Sequence, residues 1–233
     1  MHSTLRHTSI FDPAMFEDRR VDVIGAGATG SRIALQLAKL GVTNLHVWDF
    51  DIVEEHNIAN QLFEMSDIGK YKIDALKSLI EKQTGIKCNI HNAAVGKEEA
   101  AKGNAPAGEA IFLLTDTMQS RKDVWESCIK MKPRIKCLIE TRMGVDTGRI
   151  YCINPCSVKH AQHWEPTLSE KVTTVSACGT SVTVGATADL LSGIAVWQFV
   201  KWWATSQGKE GASPPENEVI YSTRPCAILS SSY

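Results

Sequence analysis

The sequence predicts an α/β fold with a doubly wound, mostly parallel β-sheet and an added antiparallel portion in the C-terminal half. Apolar strand-like runs alternate with helix-patterned segments up to residue 140, and glycines break this rhythm after residue 142. Such alternation is typical of a parallel sheet with helices on both faces. Because 233 residues fit one large domain, we expect residues 1–233 to form a single unit.

The elements of the parallel portion follow one another at regular intervals. Strands are predicted at residues 21–24, 45–49, 88–91, 111–114 and 136–140. Helices are predicted at residues 30–40, 70–83 and 119–131. Residues 97–108, rich in alanine, glycine and lysine, are expected to form a helical turn and a loop.

The C-terminal part has a different organisation. Gly144 and Gly148 indicate turns at a predicted antiparallel hairpin at 146–154. An irregular stretch is expected to continue to about residue 178. A long helix is expected at about 181–205, followed by a linker at 206–217 and a last strand at 218–222. Residues 1–20 form an N-terminal arm, and the last four residues are expected to be loose.

Charge and hydropathy limit the function classes. The formal net charge is -1 and the sequence pI is about 6.7, so no basic field indicates nucleic acid or anionic lipid. Residues 1–20 lack the apolar core of a signal peptide, and the apolar run at 190–200 is too short to span a bilayer. We therefore expect a cytoplasmic protein with no membrane contact.

The seven cysteines are an odd number without close regular pairing, which favours reduced thiols over a disulfide framework. Cys88, Cys128 and Cys137 lie in apolar surroundings and are predicted to be buried in the core.

A glycine motif indicates a nucleotide site. Gly25, Gly27 and Gly30 follow the strand at 21–24 and open the next helix, which is the context this pattern requires. The glycines permit a tight turn, close approach of a phosphate and close helix packing, and the free N–H groups attract the anion. Asp49 ends the next strand, at the spacing where an acidic residue meets ribose in Rossmann-like folds.

Further polar residues follow the strands. Asp116 comes directly after the strand at 111–114, where a carboxylate can hold Mg²⁺ against phosphates or can cap a helix. Lys70 or Lys72 could reach the phosphates from the start of a helix. Asn57 and Gln61 stand four apart, on one face of a helical turn, and could equally be solvated loop or cap residues.

Taken together, these residues resemble the adenylating domain of the ThiF/MoeB/HesA sulfur-carrier activators and the ubiquitin-activating enzymes, over roughly residues 20–200. The matching motifs are Val23 to Ser31, Asp49-x-Asp51, Val53 to Ile58, Gly69-x-x-Lys72 and Thr115-Asp116-x-x-x-x-Arg121. The resemblance selects Lys72 over Lys70 as the phosphate lysine.

The resemblance implies an adenylyltransferase that uses ATP and Mg²⁺ to activate the C-terminal carboxylate of a ubiquitin-like or sulfur-carrier protein. It assigns Lys72 to the phosphates, Asp116 to Mg²⁺ and Asp49 to the ribose. Asn57 and Gln61 would contact phosphate oxygens. A homodimer is also implied, and nucleic acid is not an expected partner.

One position departs from the family pattern. The family usually has an arginine before the glutamine of the Asn motif, where this chain has Asn60. The missing charge must then come from elsewhere, and Arg6, Arg19 and Arg20 near the N-terminus are the candidates. In the family, an N-terminal arginine can enter the site of the neighbouring subunit.

The resemblance also raises the question of acyl transfer to a cysteine. Cys178 lies just before the predicted long helix, at the place where sulfur-transferring members carry their cysteine. A helix N-terminus would lower the pKa of such a thiol. A buried or merely loop-placed thiol is the alternative.

Related activators often bind zinc through two Cys-x-x-Cys pairs, which this chain lacks. Four residues of suitable type occur at unusual spacing, namely Cys152, Cys156, His160 and His163. We favour loop histidines and a core cysteine over bound zinc.

Two other functions explain fewer residues. An NAD-dependent oxidoreductase would use the glycine loop and Asp49 but would leave Lys72 and Asp116 without a role. A catalytically inactive nucleotide-binding scaffold is suggested by Asn60 alone.

Overall fold

The computed structural model describes residues 2–169 and 184–233. The strands in these residues are β1 (Val21–Ile24), β2 (Leu45–Trp48), β3 (Asn89–His91), β4 (Ala110–Leu113), β5 (Cys137–Met143), β6 (Thr147–Ile153), β7 (Glu218–Thr223) and β8 (Cys226–Ser231). The α-helices are α1 (Pro13–Phe16), α2 (Ala28–Leu40), α3 (Lys72–Thr84), α4 (Lys97–Ala101), α5 (Met118–Val124), α6 (Val158–Trp164) and α7 (Gly185–Ser206).

The strands form one sheet in the order β3-β2-β1-β4-β5-β6-β7-β8. The first five are parallel, and β6, β7 and β8 continue the sheet in antiparallel pairing. The predicted fold class, a mostly parallel doubly wound sheet with an antiparallel C-terminal portion, is therefore confirmed.

The register of the parallel strands positions the site. Ile24 at the end of β1 is aligned with Trp48 at the end of β2 and with Leu113 at the end of β4. The order of the strands reverses between β1 and β4, and ligands of open α/β sheets bind at such a switch point. The loops that follow β1, β2 and β4 consequently meet at one edge of the sheet.

Two hydrophobic layers cover the sheet. On one face, α2 and α7 pack against each other, with fully buried side chains such as Ile33, Leu37 and Phe199. On the other face, Trp125 and Trp164 pack edge to face with ring centroids 4.8 Å apart. Both faces of β1 are thus buried, which explains its continuous apolar character apart from one ion-paired aspartate.

Several predicted boundaries differ in the structure. The helix predicted at 119–131 is α-helical only to Val124 and continues as a π-helix over Trp125–Ile129. The predicted strand at 218–222 is followed by a second strand, β8, so the chain end is not loose. The backbone N–H of Tyr233 donates to Asn217 Oδ1, which anchors the last residue.

The three cysteines predicted in the core, Cys88, Cys128 and Cys137, are buried. In the described residues, the other cysteines are free thiols as well. None of the helices in that part of the chain combines the length and apolar character needed to cross a membrane.

Candidate functional site

A cavity of about 280 Å³ opens where β1, β2 and β4 end. It is lined by Ile24, Gly25, Gly27, Trp48, Asp49, Phe50, Asp51, Lys72, Ala93, Ala94, Val95, Leu114, Thr115, Asp116, Thr117 and Ser120. Six residues predicted from the sequence therefore meet in one place, although more than 90 positions separate the first from the last.

The glycine loop forms the floor of this first cavity. Gly25 has φ +101°, and a Cβ at this position would lie 2.8 Å from the carbonyl oxygen of Leu114. A Cβ on Gly30 would lie 1.9 Å from the carbonyl oxygen of Gly25, so only glycine lets α2 pack this closely.

Gly27 has a different role from the other two glycines. Apart from its two chain neighbours, no residue of the described ranges 2–169 and 184–233 comes within 4 Å of the position its Cβ would take, so the glycine leaves open space there above the start of α2. Gly27 is also the N-cap of α2 and, as a glycine, has no side chain that could cap the helix. The free N–H groups and the open space together fit a phosphate group.

Asp49 is held in place by the backbone around it. Its Oδ2 accepts a hydrogen bond from the N–H of Ala26 at 2.6 Å, and its Oδ1 accepts one from the N–H of Asp51 at 2.8 Å. Burial raises the pKa of the Asp49 carboxyl, and the two N–H donors oppose that effect. This fixed carboxylate beside the glycine loop is suited to accept hydrogen bonds from ribose hydroxyls.

The structure distinguishes the two lysines. Lys72 is the first residue of α3, is nearly buried, and its Nζ lies 2.8 Å from Asp51 Oδ2 in the first cavity. Lys70 is more than half exposed and pairs instead with Asp67 outside the cavity. Of these two lysines, Lys72 is therefore the one placed to reach a ligand on the glycine loop.

Asp116 joins the first cavity to a second one. The second cavity has a volume of about 120 Å³ and shares Gly27, Leu114 and Asp116 with the first. Its remaining lining includes Thr141 and Arg142. A molecule in the second cavity would therefore meet a phosphate on the glycine loop close to an exposed carboxylate.

Arg121 lies in the wall of the second cavity and does not line the first one. Its Nε donates to the carbonyl oxygen of Thr115 at 2.8 Å, and its Nη1 forms an ion pair with Glu140. Burial lowers the pKa of the Arg121 guanidinium, while the Glu140 carboxylate opposes the shift. Arg121 thus supports the loop that carries Asp116.

Sequence reasoning missed Glu140, which lines neither cavity but pairs with two arginines in the wall of the second one. It is fully buried and lies between the guanidinium groups of Arg121 and Arg142, with Trp164 Nε1 also donating to it at 3.3 Å. A glutamate inside the otherwise apolar start of β5 was the available signal. A buried carboxylate requires such partners.

Asn57 and Gln61 do not line the first cavity. The side-chain oxygen of Asn57 accepts the backbone N–H of Glu54 at 3.0 Å and so closes a short 3₁₀-helix over Glu55–Asn57. Gln61 Oε1 is buried and has no hydrogen-bond partner among the described residues. Asn57 therefore has the capping role that the sequence left open as its alternative.

The three N-terminal arginines considered from the sequence, Arg6, Arg19 and Arg20, line neither of this chain's two cavities. Arg19 pairs with Glu109 at 2.7 Å, and Arg20 pairs with Asp22 at 2.7 Å. Both precede β1, at the end of the sheet opposite to the glycine loop. Neither supplies the charge that Asn60 lacks within the same chain.

Arg32 was also missed by sequence reasoning. It lies on α2 with its side chain nearly buried, and its Nη1 donates to the carbonyl oxygens of Ala28 at 2.9 Å and Asn60 at 2.7 Å. Its Nε lies 2.5 Å from Asp189 Oδ1 on α7. This guanidinium therefore connects the glycine loop, the segment around Asn60 and the start of α7.

The four residues considered for zinc do not form a metal site. They were Cys152, Cys156, His160 and His163. The Cys152 thiol is buried in β6 against another core cysteine, 3.7 Å away. The rings of His160 and His163 contact Tyr233, with centroid distances of 5.8 and 4.3 Å. In residues 2–169 and 184–233, no group of three or more metal-ligating side chains occurs.

Cys178, the candidate acyl acceptor, lies outside the described residues.

Comparisons with known proteins agree with this geometry. The model of the ThiF family matches residues 14–222. The chain is 32% identical over 130 residues to the NEDD8-activating enzyme E1 catalytic subunit of Arabidopsis thaliana, covering 51% of this chain and 28% of that protein. It is 26% identical over 189 residues to the adenylyltransferase and sulfurtransferase MOCS3 of Anopheles gambiae, covering 80% of this chain and 42% of that protein.

Among solved structures, E. coli MccB with ATP superposes with a TM-score of 0.71 at 15% identity, over 97% of this chain and 66% of that chain. At this identity the likeness is one of fold. The chain spans less than half the length of the two curated relatives named above.

Proposed function

Because the chain belongs to the ThiF family, we propose that it is an ATP-dependent adenylyltransferase that activates the C-terminal carboxylate of a ubiquitin-like, sulfur-carrier or peptide substrate. The observation that carries this proposal is the arrangement of the two cavities, which meet at Gly27 and Asp116. The first would hold the nucleotide, and the second would receive the acyl end of the substrate.

The proposed reaction joins a carboxylate to the α-phosphate of ATP. A carboxylate oxygen attacks the α-phosphorus, the bond from that phosphorus to the oxygen bridging to the β-phosphate breaks, and pyrophosphate leaves with that oxygen. The carboxylate is already ionised, so no general base is required. The protein therefore has to position two anions and stabilise the charge that develops on the phosphates.

The first-cavity residues fit these tasks. The N–H groups at Gly27 would receive a phosphate, and Asp49 would accept hydrogen bonds from the ribose. Lys72 would exchange its ion pair with Asp51 for the phosphates. Asp116 is an exposed carboxylate where the cavities meet; it would hold Mg²⁺, which would supply positive charge to the phosphates.

Transfer of the acyl group to Cys178 is a further step of the proposal. The thiolate would attack the acyl-adenylate carbonyl carbon, form a thioester and release AMP. The resemblance of the Cys178 segment to sulfur-transferring relatives supports it. Replacing Cys178 by alanine should leave adenylation intact and remove the thioester; a thioester that persists in this variant would exclude Cys178.

The resemblance also supports a homodimer as the working form. Light scattering on the eluting protein should give a mass of twice 25.6 kDa, and a monomeric mass with full activity would contradict this part of the proposal.

Carrier-dependent exchange of labelled pyrophosphate into ATP tests the adenylation step. We expect label in ATP only with Mg²⁺ and a carrier whose C-terminal carboxylate is free. Asp116→Asn should lower the exchange rate by about 100-fold or more, because the carboxylate that would hold Mg²⁺ beside the phosphates is lost. Asp123→Asn, which changes an exposed aspartate on α5 that accepts from Gln119, should leave the rate near wild type.

Other outcomes of the same experiment would exclude the proposal. ATP binding without exchange with any carrier would indicate an inactive scaffold. A substrate-dependent change in nicotinamide absorbance would instead indicate an oxidoreductase.

A further inference from the structure

The first cavity carries an excess of negative charge. Its described lining contains three carboxylates, those of Asp49, Asp51 and Asp116, and a single cation, Lys72. A bound nucleoside triphosphate adds several more negative charges, of which Mg²⁺ balances only part. Close like charges in a partly enclosed site repel strongly, so triphosphate binding calls for another cation near the glycine loop.

Arg32 lines neither cavity, but its side chain is anchored beside the glycine loop. Its Nη1 lies 2.9 Å from the carbonyl oxygen of Ala28, the first residue of α2, so the guanidinium lies against the first turn of the glycine-loop helix. The same Nη1 donates to the carbonyl oxygen of Asn60 at 2.7 Å. The N-terminus of α2 is itself a region of positive potential, and Arg32 adds a full charge beside it.

One nitrogen of the Arg32 guanidinium has no acceptor among the described residues. Nε and Nη1 are engaged by Asp189 and by the two carbonyl oxygens, while Nη2 has no acceptor within residues 2–169 and 184–233. A guanidinium carries five N–H donors in a fixed fork that matches phosphate oxygens. Arg32 can therefore bind phosphate without giving up its bonds to the backbone.

Its counter-ion also differs from those of the other cations nearby. Arg121 and Arg142 pair with Glu140, which is fully buried, so withdrawing either one would leave a buried carboxylate poorly compensated. Asp189, the partner of Arg32, is 65% exposed in its side chain. Water can solvate Asp189 when Arg32 turns away, so Arg32 moves at a lower cost than Arg121 or Arg142.

We propose that Arg32 is a second phosphate-binding cation, which turns from Asp189 toward the terminal phosphates of a bound nucleoside triphosphate. Arg32 thereby supplies the charge that Asn60, a neutral residue, does not provide. This inference rests on the proposed function, because it requires a triphosphate on the glycine loop.

The test compares the affinities of the full chain for ATP and for AMP, measured by calorimetry in the presence of Mg²⁺. Arg32→Gln should weaken ATP binding about tenfold or more and change AMP binding less than about twofold, since AMP lacks the terminal phosphates. Arg32→Lys, which keeps the charge, should restore most of the ATP affinity. Equal weakening of both nucleotides, or no weakening, would overturn the proposal.

Asp189→Asn gives an independent test that does not depend on the folding of Arg32→Gln. Without its counter-ion, Arg32 is free for phosphate, so ATP binding should tighten about twofold to fivefold relative to AMP. An unchanged or reduced ATP-to-AMP affinity ratio would contradict the proposed role. Lys72→Ala tests whether the first cavity binds the nucleotide at all. If this variant binds ATP as well as the wild type does, the first cavity is not the nucleotide site.

Discussion

At the scale of single residues, the candidate site depends on which charged groups are enclosed by the fold. Lys70 and Lys72 are two positions apart and equally basic, and the helical pattern alone left both open. The turn before α3 directs Lys72 into the first cavity beside Asp51, whereas Lys70 pairs with Asp67 in solvent. The two lysines therefore differ in where their side chains point and in how deeply they are buried.

We predict that Lys72→Ala weakens ATP binding roughly tenfold to a hundredfold, because a charged hydrogen bond contributes about 1.5–3 kcal/mol. Lys70→Ala, the matched control, should bind ATP with wild-type affinity since its charge lies outside the cavity. Titration calorimetry of both variants gives the comparison. Similar losses in the two variants would mean that general surface charge is responsible.

At the scale of elements, the strand-to-helix turn between β1 and α2 sets both packing and ligand access. Gly25 and Gly30 are required by the backbone itself, since an added Cβ on either would overlap a carbonyl oxygen. Gly27 faces space that is open among the described residues, so a ligand that binds there would be the reason for a glycine at this position. One short motif therefore contains two separable functions, packing and ligand approach.

Substitution by alanine should separate these functions. Gly30→Ala should lower the free energy of unfolding by roughly 1–3 kcal/mol or more, because the methyl group cannot fit beside Gly25. Gly27→Ala should keep the wild-type melting temperature and weaken ATP binding about tenfold, because the methyl group occupies the phosphate position. Thermal melts and calorimetry measure the two effects; a destabilised Gly27→Ala with normal ATP affinity would reverse the assignment.

At the scale of the whole molecule, the parallel register brings the loops after β1, β2 and β4 together. The same sheet carries a pair of histidines on β2 and on the edge strand β3. His46 Nδ1 lies 2.9 Å from His91 Nε2, across the β2–β3 pairing. Burial and the nearby charge of Arg20 lower the pKa of His46 to about 4. The fold therefore keeps this imidazole neutral.

The lowered pKa of His46 predicts that the free energy of unfolding falls in mild acid. The pKa of His46 is about 4 in the folded protein and 6.5 in its ordinary state, so the unfolded chain takes up the proton first. The contribution of neutral His46 to the free energy of unfolding is therefore fully present above pH 6.5 and is lost as the pH falls toward 4. Urea unfolding at several pH values should show a smaller decline for His46→Asn than for wild type.

His56, whose side chain is more than half exposed, provides the control for that measurement. The acid decline should be larger in His56→Asn, at an imidazole that pairs with Glu54 on the surface, than in His46→Asn. If His46→Asn shows the wild-type decline as well, groups other than His46 govern acid stability.

The sequence by itself determined the features that arise from local spacing. The glycine motif, the acidic residue at the end of β2, the aspartate after β4 and the alternation of strands and helices can all be read within short windows. Their chemistry follows from the backbone geometry that glycine permits and from the common edge at which parallel strands end. The fold class and the family were predictable for this reason.

The tertiary structure alone decided the contacts between distant segments. Arg32 and Asp189 are 157 positions apart, and Arg121 and Glu140 come from different elements. No periodicity relates such pairs, because they are brought together by the packing of α2 on α7 and of Val124 in α5 against apolar side chains of the sheet. Burial then fixes which charges need a partner, and burial is a property of the assembled fold.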